Sequence, residues 1–493
     1  MKAVVIIGAG VQGLAAARTF FDLGYQVRIF EKLDGVGGTW HKKKSYPGLA
    51  SHGPMKNLFY PDFPGPKGFD ENKPFIREDY VEYLNSYARH FRIFELISFN
   101  SNVTEIRYDR DRSDKPITIK VQNVSTMEVT EQECDFVIYT TFTTIGFVPR
   151  FRGDETFDGR IVHSSDLNDE ILNDSLREGK RIIVLGGNKS AADVVAYLDS
   201  RSYKNYLWVF RQNTWGANYK YIAAGYRINR IGLYIYYKIF QSKRFGWLAG
   251  LAFLPLRLFG FFVSPFPESH PLRIGFNGAI WKQEQIDVLR QSKFHRGEIA
   301  NIVGRQVFLT TRGQSADGGT ICDAADLIVC GTSFVQTKDA KVIIAENGKE
   351  RLLEQGKEDF LFRSMIHPLA PSVVFWNGVI SPGRITLSAY LLALWFHAYF
   401  CSLTDEKYSF RSMVQDIEND KEMMRKNGVS DFNVWRTFQK AQGLFIEKIS
   451  EVILRDLGLL NSKVRMILLL ASPIELKDIY LKKLNELKSL PGL

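Results

Sequence analysis

Aliphatic runs and glycine turns alternate at the start of the chain, in an order that predicts strand, turn, helix and strand. Residues 4–7 are all aliphatic, and a glycine-rich turn over 8–13 separates them from a helical stretch over 14–23. Gly24 ends that stretch, and a second apolar run follows over 27–30. Because short apolar runs bounded by glycines are typical of buried parallel strands, this order predicts a β-α-β unit.

The same order of apolar runs returns later in the chain. A strand-like run over 181–185, aliphatic after Arg181, leads into a second glycine turn and a helical stretch, and another strand-like run over 207–210 follows. Further strand-like runs lie at 325–330 and 373–378. Two repeats of this order predict an α/β protein with two Rossmann-like dinucleotide-binding units.

Between and after these repeats the spacing of the apolar residues changes. Residues 77–91 place apolar side chains at helical spacing, whereas apolar and polar residues alternate over 117–121. The alternation predicts a small antiparallel excursion before a strand over 136–139 returns to the parallel sheet. Residues 386–400 predict a strongly apolar helix, and the remainder, 404–493, predicts a charged helical extension.

Gly8, Gly10 and Gly13 make the first turn a G-x-G-x-x-G sequence. In such a turn the first glycine allows a sharp bend, the second lets backbone N–H groups approach a pyrophosphate, and the third lets the helix pack closely on the strand. The helix N-terminus supplies positive potential for the phosphates. Glu31 ends the second strand, where an acid accepts hydrogen bonds from a ribose. We predict a dinucleotide site, and a β-α-β unit that binds no nucleotide is the alternative.

The second turn carries Gly186, Asn188 and Ala191 at the three glycine positions, with Ser190 before the last. Asparagine tolerates a left-handed backbone better than other non-glycine residues, so we expect the turn to survive this replacement. Arg211 ends the next strand, at the place of the acid in the first unit. Arginine there favours a 2′-phosphate over a free 2′-hydroxyl. The second site therefore predicts NADPH rather than NADH, unless Arg211 is only a surface residue.

Length and composition limit the class of protein. A chain of 493 residues exceeds what one hydrophobic core usually fills, so two or more domains are expected. The net charge of +10 comes from 64 basic and 54 acidic residues mixed along the chain, which indicates no nucleic-acid partner. Without a C-x-x-C or zinc-like cluster, we expect no metal site, and buried, reduced thiols at Cys134, Cys322 and Cys330. The apolar run at the start is too short for a targeting segment, so a cytoplasmic location is expected.

One stretch, 247–266, is almost entirely apolar, with Arg257 as its one charged residue. Its length would allow a membrane span, but a central arginine costs about 2.5–3.5 kcal/mol on insertion scales. It lies in an apolar insertion over about 215–292. A membrane-surface helix or apolar substrate entrance fits the same composition, and so does a buried helical pair. Any peripheral membrane contact would run through 245–266.

In combination these motifs resemble the group B flavin-dependent monooxygenases, the family of flavin-containing and Baeyer–Villiger monooxygenases. Beyond the first glycine turn and its acid, the resemblance rests on the loop residues Gly37, Gly38, Thr39 and Trp40 and on segments at 46–49, 62–64, 74–75 and 83–91. It implies that the first unit binds FAD, with the acid at the adenosine ribose and the loop against the rest of the cofactor. It also implies an FAD domain in two parts, 1–165 and 336–403, an NADPH domain over 166–335 inserted between them, and a helical C-terminal extension over 404–493.

Phe157, Gly159 and His163 match the identifying sequence of that family, in which this segment links the two nucleotide domains. We expect His163 to be a hinge or packing residue that influences catalysis indirectly. Leu167 stands where one branch of the family has tyrosine or phenylalanine and the Baeyer–Villiger branch has tryptophan.

Three further positions depart from the family. Phe142 and Ser333 replace the glycines of the two Ala-Thr-Gly-like crossings between the domains, and His52 stands where the family has an asparagine beside the flavin. Because histidine titrates near neutrality, we hypothesise that His52 contacts the flavin and makes the lifetime of the flavin peroxide pH-dependent. A loop histidine away from the site is the alternative.

The resemblance implies an NADPH-dependent monooxygenase. NADPH would reduce FAD, O₂ would add to give a C4a-(hydro)peroxyflavin, and one oxygen atom would pass to a small, apolar organic substrate. N- or S-oxygenation or hydroxylation is preferred over Baeyer–Villiger insertion because tryptophan is absent at position 167. A flavin oxidoreductase or NADPH oxidase that does not stabilise the peroxide would fit the same motifs, as would a degenerate binding or scaffold protein.

Overall fold

The computed structural model of the chain describes residues 1–51, 53–55, 58–65, 68, 70, 74–140, 143–211, 215–219, 262–263, 276–311, 321–337, 340–353, 361–363, 365–376, 385–426, 455–459 and 477–488. The strands are, in chain order, β1 (Ala3–Ile7), β2 (Gln26–Phe30), β3 (Ile97–Ser98), β4 (Ser101–Asp109), β5 (Ile117–Asn123), β6 (Val129–Cys134), β7 (Phe136–Tyr139), β8 (Thr143–Gly146), β9 (Arg160–His163), β10 (Ile182–Leu185), β11 (Tyr206–Phe210), β12 (Trp215–Asn218), β13 (Phe262–Val263), β14 (Phe276–Trp281), β15 (Phe294–Val303), β16 (Gln306–Thr311), β17 (Ile321–Ala324), β18 (Leu327–Cys330), β19 (Phe334–Thr337), β20 (Lys341–Glu346), β21 (Lys349–Leu352) and β22 (Val373–Phe375). The α-helices are α1 (Val11–Asp22), α2 (Arg77–His90), α3 (Asp169–Arg177), α4 (Lys189–Ser200), α5 (Gln283–Gln291), α6 (Ile385–Cys401), α7 (Phe410–Lys426) and α8 (Lys477–Lys488).

The first sheet is five-stranded and parallel, in the order β22-β7-β1-β2-β3. All five residues of β1 are buried, as expected for a central strand of a parallel sheet. α1 connects β1 to β2 and is followed by Gly24, whose φ of +84° suits glycine at the end of a helix. The β-α-β unit predicted at the start of the chain is therefore confirmed.

Three strands between β3 and β7 in the chain, together with two later strands, form a smaller sheet. β4, β5 and β6 pair antiparallel, and β20 and β21 extend the sheet to the order β21-β20-β4-β5-β6. Along β5 the apolar Ile117, Ile119 and Val121 are buried while the residues between them are half-buried. This alternation confirms the antiparallel excursion and the return to the parallel sheet at β7.

The second large sheet repeats the plan of the first. Its order is β17-β16-β15-β11-β10-β18-β9, with parallel pairing from β15 to β9 and an antiparallel meander from β15 to β17. α4 connects β10 to β11, as α1 connects the first two strands. The structure thus has the two Rossmann-like units that the sequence predicts.

The two large sheets are linked by an antiparallel ribbon of β8 and β19. β8 follows β7 of the first sheet, and β19 follows β18 of the second. The chain therefore leaves the first sheet through one strand of the ribbon and returns through the other, before β22 joins the first sheet again. The domain limits at 165/166, 335/336 and 403/404 stay predictions.

Two sequence expectations about the surface have different outcomes. Within the described residues, no helix is long and apolar enough to cross a membrane. Except for β13, the stretch 245–266 that we considered for membrane contact lies outside those residues. Cys134 and Cys330 are buried, as predicted, but the expectation for Cys322 is wrong, because this residue lies on the edge strand β17 and is exposed.

The apolar helix α6 packs on α1 and buries a histidine. His397 is 6% exposed, and its Nδ1 lies 2.9 Å from the hydroxyl oxygen of Tyr25. Burial lowers the pKa of His397 from 6.5 to about 4. The folded state therefore favours the neutral ring. The stability that this ring contributes is complete above pH 6.5 and is lost as the pH falls through 4.

We expect acidification from pH 6.5 to 4 to lower the free energy of unfolding by roughly 3 kcal/mol through His397 alone, since each pKa unit corresponds to about 1.4 kcal/mol. Urea unfolding of the wild type and of His397→Gln across this range would measure it. The variant should show a shallower loss, whereas the exposed-site control His90→Gln should follow the wild type. Parallel curves for wild type and His397→Gln would contradict the assignment.

Candidate functional site

The first turn requires glycine at two positions for different reasons. Gly8 has a φ of +103°, a left-handed conformation that glycine adopts without strain. A Cβ on Gly13 would lie 1.9 Å from the carbonyl oxygen of Gly8. α1 can therefore pass this close to the glycine turn only because residue 13 has no side chain. Gly10 is the N-cap residue of α1, and no side chain caps the helix. A helix N-terminus without a side-chain cap is the arrangement that binds phosphate.

Glu31 lies directly beside this turn. Its buried carboxylate accepts hydrogen bonds from the N–H groups of Ala9 at 2.6 Å and Leu33 at 2.9 Å. Burial raises the pKa of the Glu31 carboxyl, and the two N–H groups oppose that rise. The acid at the end of β2 is therefore held against the glycine turn, where the sequence predicts a ribose.

The loop after Glu31 completes a cradle. Gly37 and Gly38 have φ values of +133° and +56°. A Cβ on Gly38 would approach the Cα of Gly10 to 3.1 Å, so the loop and the first turn meet through two glycines. Thr39 is exposed and Trp40 is half-buried at the rim. A cradle of backbone without side chains fits the diphosphate of FAD.

The second turn is similar but not identical. Gly186 has a φ of +136°, and a Cβ there would lie 2.4 Å from the carbonyl oxygen of Gly331. Asn188 is the N-cap residue of α4 with φ −113° and ψ 178°. The turn is present, as expected, but it does not use the tolerance of asparagine for a left-handed backbone, because the left-handed residue of the turn is Gly186. The equivalent Gly10 is extended in the same way, with φ −82°.

The two units carry their close-packing glycine on different elements, the helix in the first unit and the strand end in the second. Thr140 and Gly331 are equivalent, because each follows its strand and donates its N–H to the last residue of the neighbouring central strand. In the first unit the helix carries glycine, Gly13, and the strand end carries a side chain. In the second unit the helix carries a methyl group, that of Ala191, and the strand end carries glycine. A Cβ on Gly331 would lie 2.5 Å from the Cβ of Ala191, so this pair has room for one side chain, whereas a Cβ on Gly13 would meet the Gly8 carbonyl oxygen first, at 1.9 Å, and the Thr140 hydroxyl oxygen at 3.2 Å.

Arg211 extends from the end of β11 into solvent. Its side chain is 76% exposed, and its Nη1 lies 3.7 Å from an Oε2 of Glu298 on the neighbouring strand β15. Ser190 is half-buried in the first turn of α4. The exposed guanidinium lies at the strand end where the sequence predicts a 2′-phosphate.

His163 lies at the end of β9, against the β8–β19 ribbon. Its Nδ1 lies 2.8 Å from the Ser165 hydroxyl and its Nε2 lies 3.3 Å from the carbonyl oxygen of Thr332. The ring packs edge-on to Phe334, and a Cβ on Gly146 would overlap it at 2.0 Å. Burial lowers the pKa of His163. The histidine thus contacts both strands of the ribbon, and its role as a hinge remains a prediction.

Sequence reasoning missed two polar contacts between the units. The Tyr46 hydroxyl donates to a carboxylate oxygen of the buried Asp193 at 2.9 Å, and Lys189 pairs with the same carboxylate. The buried Arg77 pairs with Asp169 at 2.5 Å. Tyr46 lies in a segment that carries the family resemblance, but its partner is 147 residues away, so no local pattern indicates the contact.

Two sequence candidates cannot be located. His52 and Phe142 both lie outside the residues that the structure describes. Within the described ranges, no group of three or more histidine, cysteine, aspartate or glutamate side chains could hold a metal ion.

Comparisons with known proteins place these features in context. Residues 1–243 match the model of the flavin-binding monooxygenase-like family. A probable flavin-containing monooxygenase from Arabidopsis thaliana is 25% identical, over 87% of this chain and 89% of the relative. Senecionine N-oxygenase from Tyria jacobaeae is 30% identical, over 40% of this chain and 44% of the relative.

Solved structures share the fold. The oxidized steroid monooxygenase bound to NADP superposes with a TM-score of 0.64 at 16% identity, over 93% of this chain and 98% of that one. The closed structure of cyclohexanone monooxygenase has a TM-score of 0.60 at 15% identity, over 86% and 89% of the two chains.

Proposed function

The chain belongs to the family of flavin-binding monooxygenases that includes the flavin-containing and Baeyer–Villiger enzymes, and from this premise we propose that it oxygenates nitrogen or sulfur, or hydroxylates carbon, in a small apolar substrate. It is an FAD- and NADP-dependent oxidoreductase. When bound, FAD takes hydride equivalents from NADPH, activates O₂ and supplies the oxygen-transfer chemistry.

The residues of the chain bind and orient the two cofactors in this proposal. The turn from Gly8 to Gly13, with the loop at Gly37 and Gly38, surrounds the FAD diphosphate, and Glu31 accepts hydrogen bonds from its ribose. Thr39 and Trp40 lie at the rim towards the remainder of FAD. At the second unit the N-terminus of α4 would hold the NADPH diphosphate, with Asn188 as its N-cap residue, Ser190 and Ala191 in its first turn and Gly186 before it.

The observation that carries the proposal is the opposite charge at equivalent places of the two units. Glu31 follows β2, is buried and faces the first turn, whereas Arg211 follows β11 and is exposed. A carboxylate repels a 2′-phosphate and a guanidinium attracts one. One chain that offers both supports one site for FAD and another for NADPH, and transfer of reducing equivalents between them.

The apolar character of the substrate is supported by the β8–β19 ribbon. Ile145, Phe147, Phe334 and Val335 are between 45% and 52% exposed, and Ile145 pairs in register with Val335. They adjoin His163, at the link between the two units. Exposed apolar side chains clustered at a junction of two units are typical of a ligand site. Leu167 is fully buried in the core of the second unit, so this position does not itself contact substrate.

The test is product analysis after NADPH turnover with a panel of amines, sulfides and ketones, with H₂O₂ measured in parallel. N-oxides, S-oxides or hydroxylated products in step with NADPH consumption would support the proposal. Esters or lactones from the ketones would establish Baeyer–Villiger insertion instead. One H₂O₂ per NADPH without oxygenated product would establish an NADPH oxidase.

Arg211→Ala is expected to raise the KM for NADPH by about 10- to 100-fold and to leave the KM for NADH nearly unchanged. A charge-assisted hydrogen bond is worth about 1.5–3 kcal/mol, and only NADPH carries the 2′-phosphate. Steady-state kinetics with both cofactors measure the effect. Glu298→Gln is the matched control, since it removes the charge of the carboxylate beside Arg211 and should keep or improve NADPH binding. An equal rise for both cofactors in Arg211→Ala would contradict the assignment.

A further inference from the structure

A column of buried tyrosines crosses the core next to the predicted FAD cradle. The members are all fully buried: Tyr60, Tyr80, Tyr83, Tyr87, Tyr390 and Tyr480. Their rings stack in sequence, with centroid distances of 5.8 Å from Tyr80 to Tyr83, 6.2 Å from Tyr83 to Tyr60, 5.4 Å from Tyr60 to Tyr390 and 4.2 Å from Tyr390 to Tyr480. Stacking alone stabilises a core, so the stack by itself indicates no further function.

The two ends of the tyrosine column lie in different parts of the fold. At one end Trp40, from the loop that meets the first glycine turn, contacts Tyr80 with a centroid distance of 5.2 Å. At the other end Tyr480 belongs to α8, the last helix described, and its hydroxyl lies 3.2 Å from that of Thr19. A continuous series of aromatic contacts therefore connects the rim of the FAD cradle with the C-terminal helix.

The phenols of the column differ in their hydrogen-bond partners, and the hydroxyls of Tyr87 and Tyr480 lie against the hydroxyls of Tyr390 and Thr19. The hydroxyls of Tyr60, Tyr80 and Tyr83 donate to backbone carbonyl oxygens. Tyr390 instead donates to a carboxylate oxygen of Asp62 at 2.6 Å. Among the residues that the structure describes, Asp62 is the one carboxylate bonded to the column, and its second oxygen is buried without a hydrogen-bond partner.

This difference decides on which tyrosine an oxidation can persist. A phenol that loses an electron becomes a strong acid, and a cationic ring is costly in a buried site, so an oxidised tyrosine persists only beside a base that takes its proton, and the other rings of the column pass the electron on without keeping the oxidation. A backbone carbonyl is not such a base, whereas a carboxylate is. Burial also raises the pKa of Tyr390 far above its ordinary value, so the phenol keeps its proton until the electron leaves.

We propose that Tyr390 is a one-electron redox site, which gives its electron to the tyrosine column and its proton to Asp62. The O–H bond of Tyr390 breaks and a new O–H bond forms on the Asp62 carboxylate, so a neutral tyrosyl radical and a neutral carboxylic acid result. The electron passes through Tyr60, Tyr83 and Tyr80 to Trp40 and reduces an oxygen-derived radical, such as hydroxyl radical to hydroxide. A soluble thiolate returns one electron to the radical and becomes a thiyl radical, two of which combine to a disulfide, and the proton returns from Asp62 to the Tyr390 oxygen.

The consequence is protection of the cofactor site. An enzyme that activates O₂ releases some reactive oxygen, and a radical formed near Trp40 would otherwise attack the residues that hold FAD. The tyrosine column moves the oxidising equivalent away from the cradle to Tyr390. The inference rests on the proposed function only for the source of the oxidant.

The test supplies the oxidant independently. The FAD-loaded enzyme is mixed with photogenerated tris(bipyridine)ruthenium(III), frozen and measured by electron paramagnetic resonance. We expect a tyrosyl signal that is lost in Tyr390→Phe and retained in Tyr399→Phe. Tyr399 is the matched control, because it lies on the same helix, is equally buried and donates to the carbonyl oxygen of Pro371. An unchanged signal in Tyr390→Phe, or an equal loss in Tyr399→Phe, would overturn the proposal.

Two further measurements test the proposal even if Tyr390→Phe folds poorly. Incorporation of difluorotyrosine at position 390 should add fluorine splitting to the signal, and an unsplit signal would place the radical elsewhere. Asp62→Asn keeps the shape of the acceptor but removes its basicity, so the signal should be lost while FAD content is kept. A full signal in Asp62→Asn would refute the proton transfer. Failure of oxygenation with the radical intact would overturn the proposed function and leave the assignment of Tyr390 standing.

Discussion

Gly13→Ala is expected to abolish FAD binding and to lower the free energy of unfolding by about 3 kcal/mol, the upper range for an added methyl group that must displace its surroundings. The added Cβ would lie 1.9 Å from the carbonyl oxygen and 3.0 Å from the carbonyl carbon of Gly8. Both are backbone atoms of a left-handed turn at the end of the central strand β1, so no side chain can move aside. α1 would have to lift from the sheet and carry the N-terminus of the helix away from the phosphates.

Two other glycines separate the effect on the fold from the effect on the cofactor. A Cβ on Gly10 would lie 3.5 Å from the Cα of Gly38, an ordinary contact, so Gly10→Ala should unfold near the wild-type denaturant concentration. It should still lose FAD, because the methyl group would enter the cradle. Gly24→Ala should keep FAD, since no atom lies within 4 Å and only the left-handed φ causes strain, about 1 kcal/mol.

The measurements are bound flavin by absorbance after gel filtration and urea unfolding of each variant. Gly13→Ala should lose both flavin and stability. Gly10→Ala should lose flavin alone, and Gly24→Ala should keep its flavin and lose little stability. A Gly13→Ala protein with full flavin content and wild-type stability would show that α1 tolerates a wider crossing than the structure has.

Much of the fold can be predicted from local pattern because each unit is built from neighbouring segments. The runs that form β1, β10 and β18 are short, aliphatic and bounded by glycine, which leaves few other structures that bury them. Glu31 and Arg211 can be found for the same reason, since each directly follows a strand whose position the glycine turn fixes.

The features that escape prediction depend on segments far apart in the chain. Tyr80 and Tyr87 fit a core-facing helical stripe, and nothing in that stripe indicates Tyr390 or the carboxylate of Asp62 at its hydroxyl. Residue type indicates only that Asn188 would tolerate a left-handed backbone, whereas the structure has that conformation at Gly186. Residue type limits what a backbone tolerates, but the neighbouring strand decides what it adopts.

The close contact between Ala191 and Gly331 predicts a second large effect on stability. Gly331→Ala is expected to lower the free energy of unfolding by about 3 kcal/mol, because its Cβ would lie 2.5 Å from the Cβ and 2.6 Å from the backbone nitrogen of Ala191. In the first unit the equivalent strand end carries a side chain, Thr140, opposite glycine at position 13. NADPH binding should weaken, because α4 must move, while FAD binding at the other unit should persist.

Removal of the opposing methyl group should relieve part of this cost. Ala191→Gly alone is expected to cost about 1 kcal/mol, the usual penalty for glycine inside a helix. If the two changes were independent, the double variant would lose the sum. Since the Cβ–Cβ contact disappears while the backbone contact remains, we expect a coupling energy of about 1 kcal/mol or more in the double-mutant cycle.

Gly331→Ala combined with Ala192→Gly is the matched control, because Ala192 is equally buried on α4 but is not among the nearest neighbours of a Cβ at 331. The changes in unfolding free energy should be additive for that control pair. Additivity in both cycles would mean that the side chains at positions 191 and 331 do not compete for the same space.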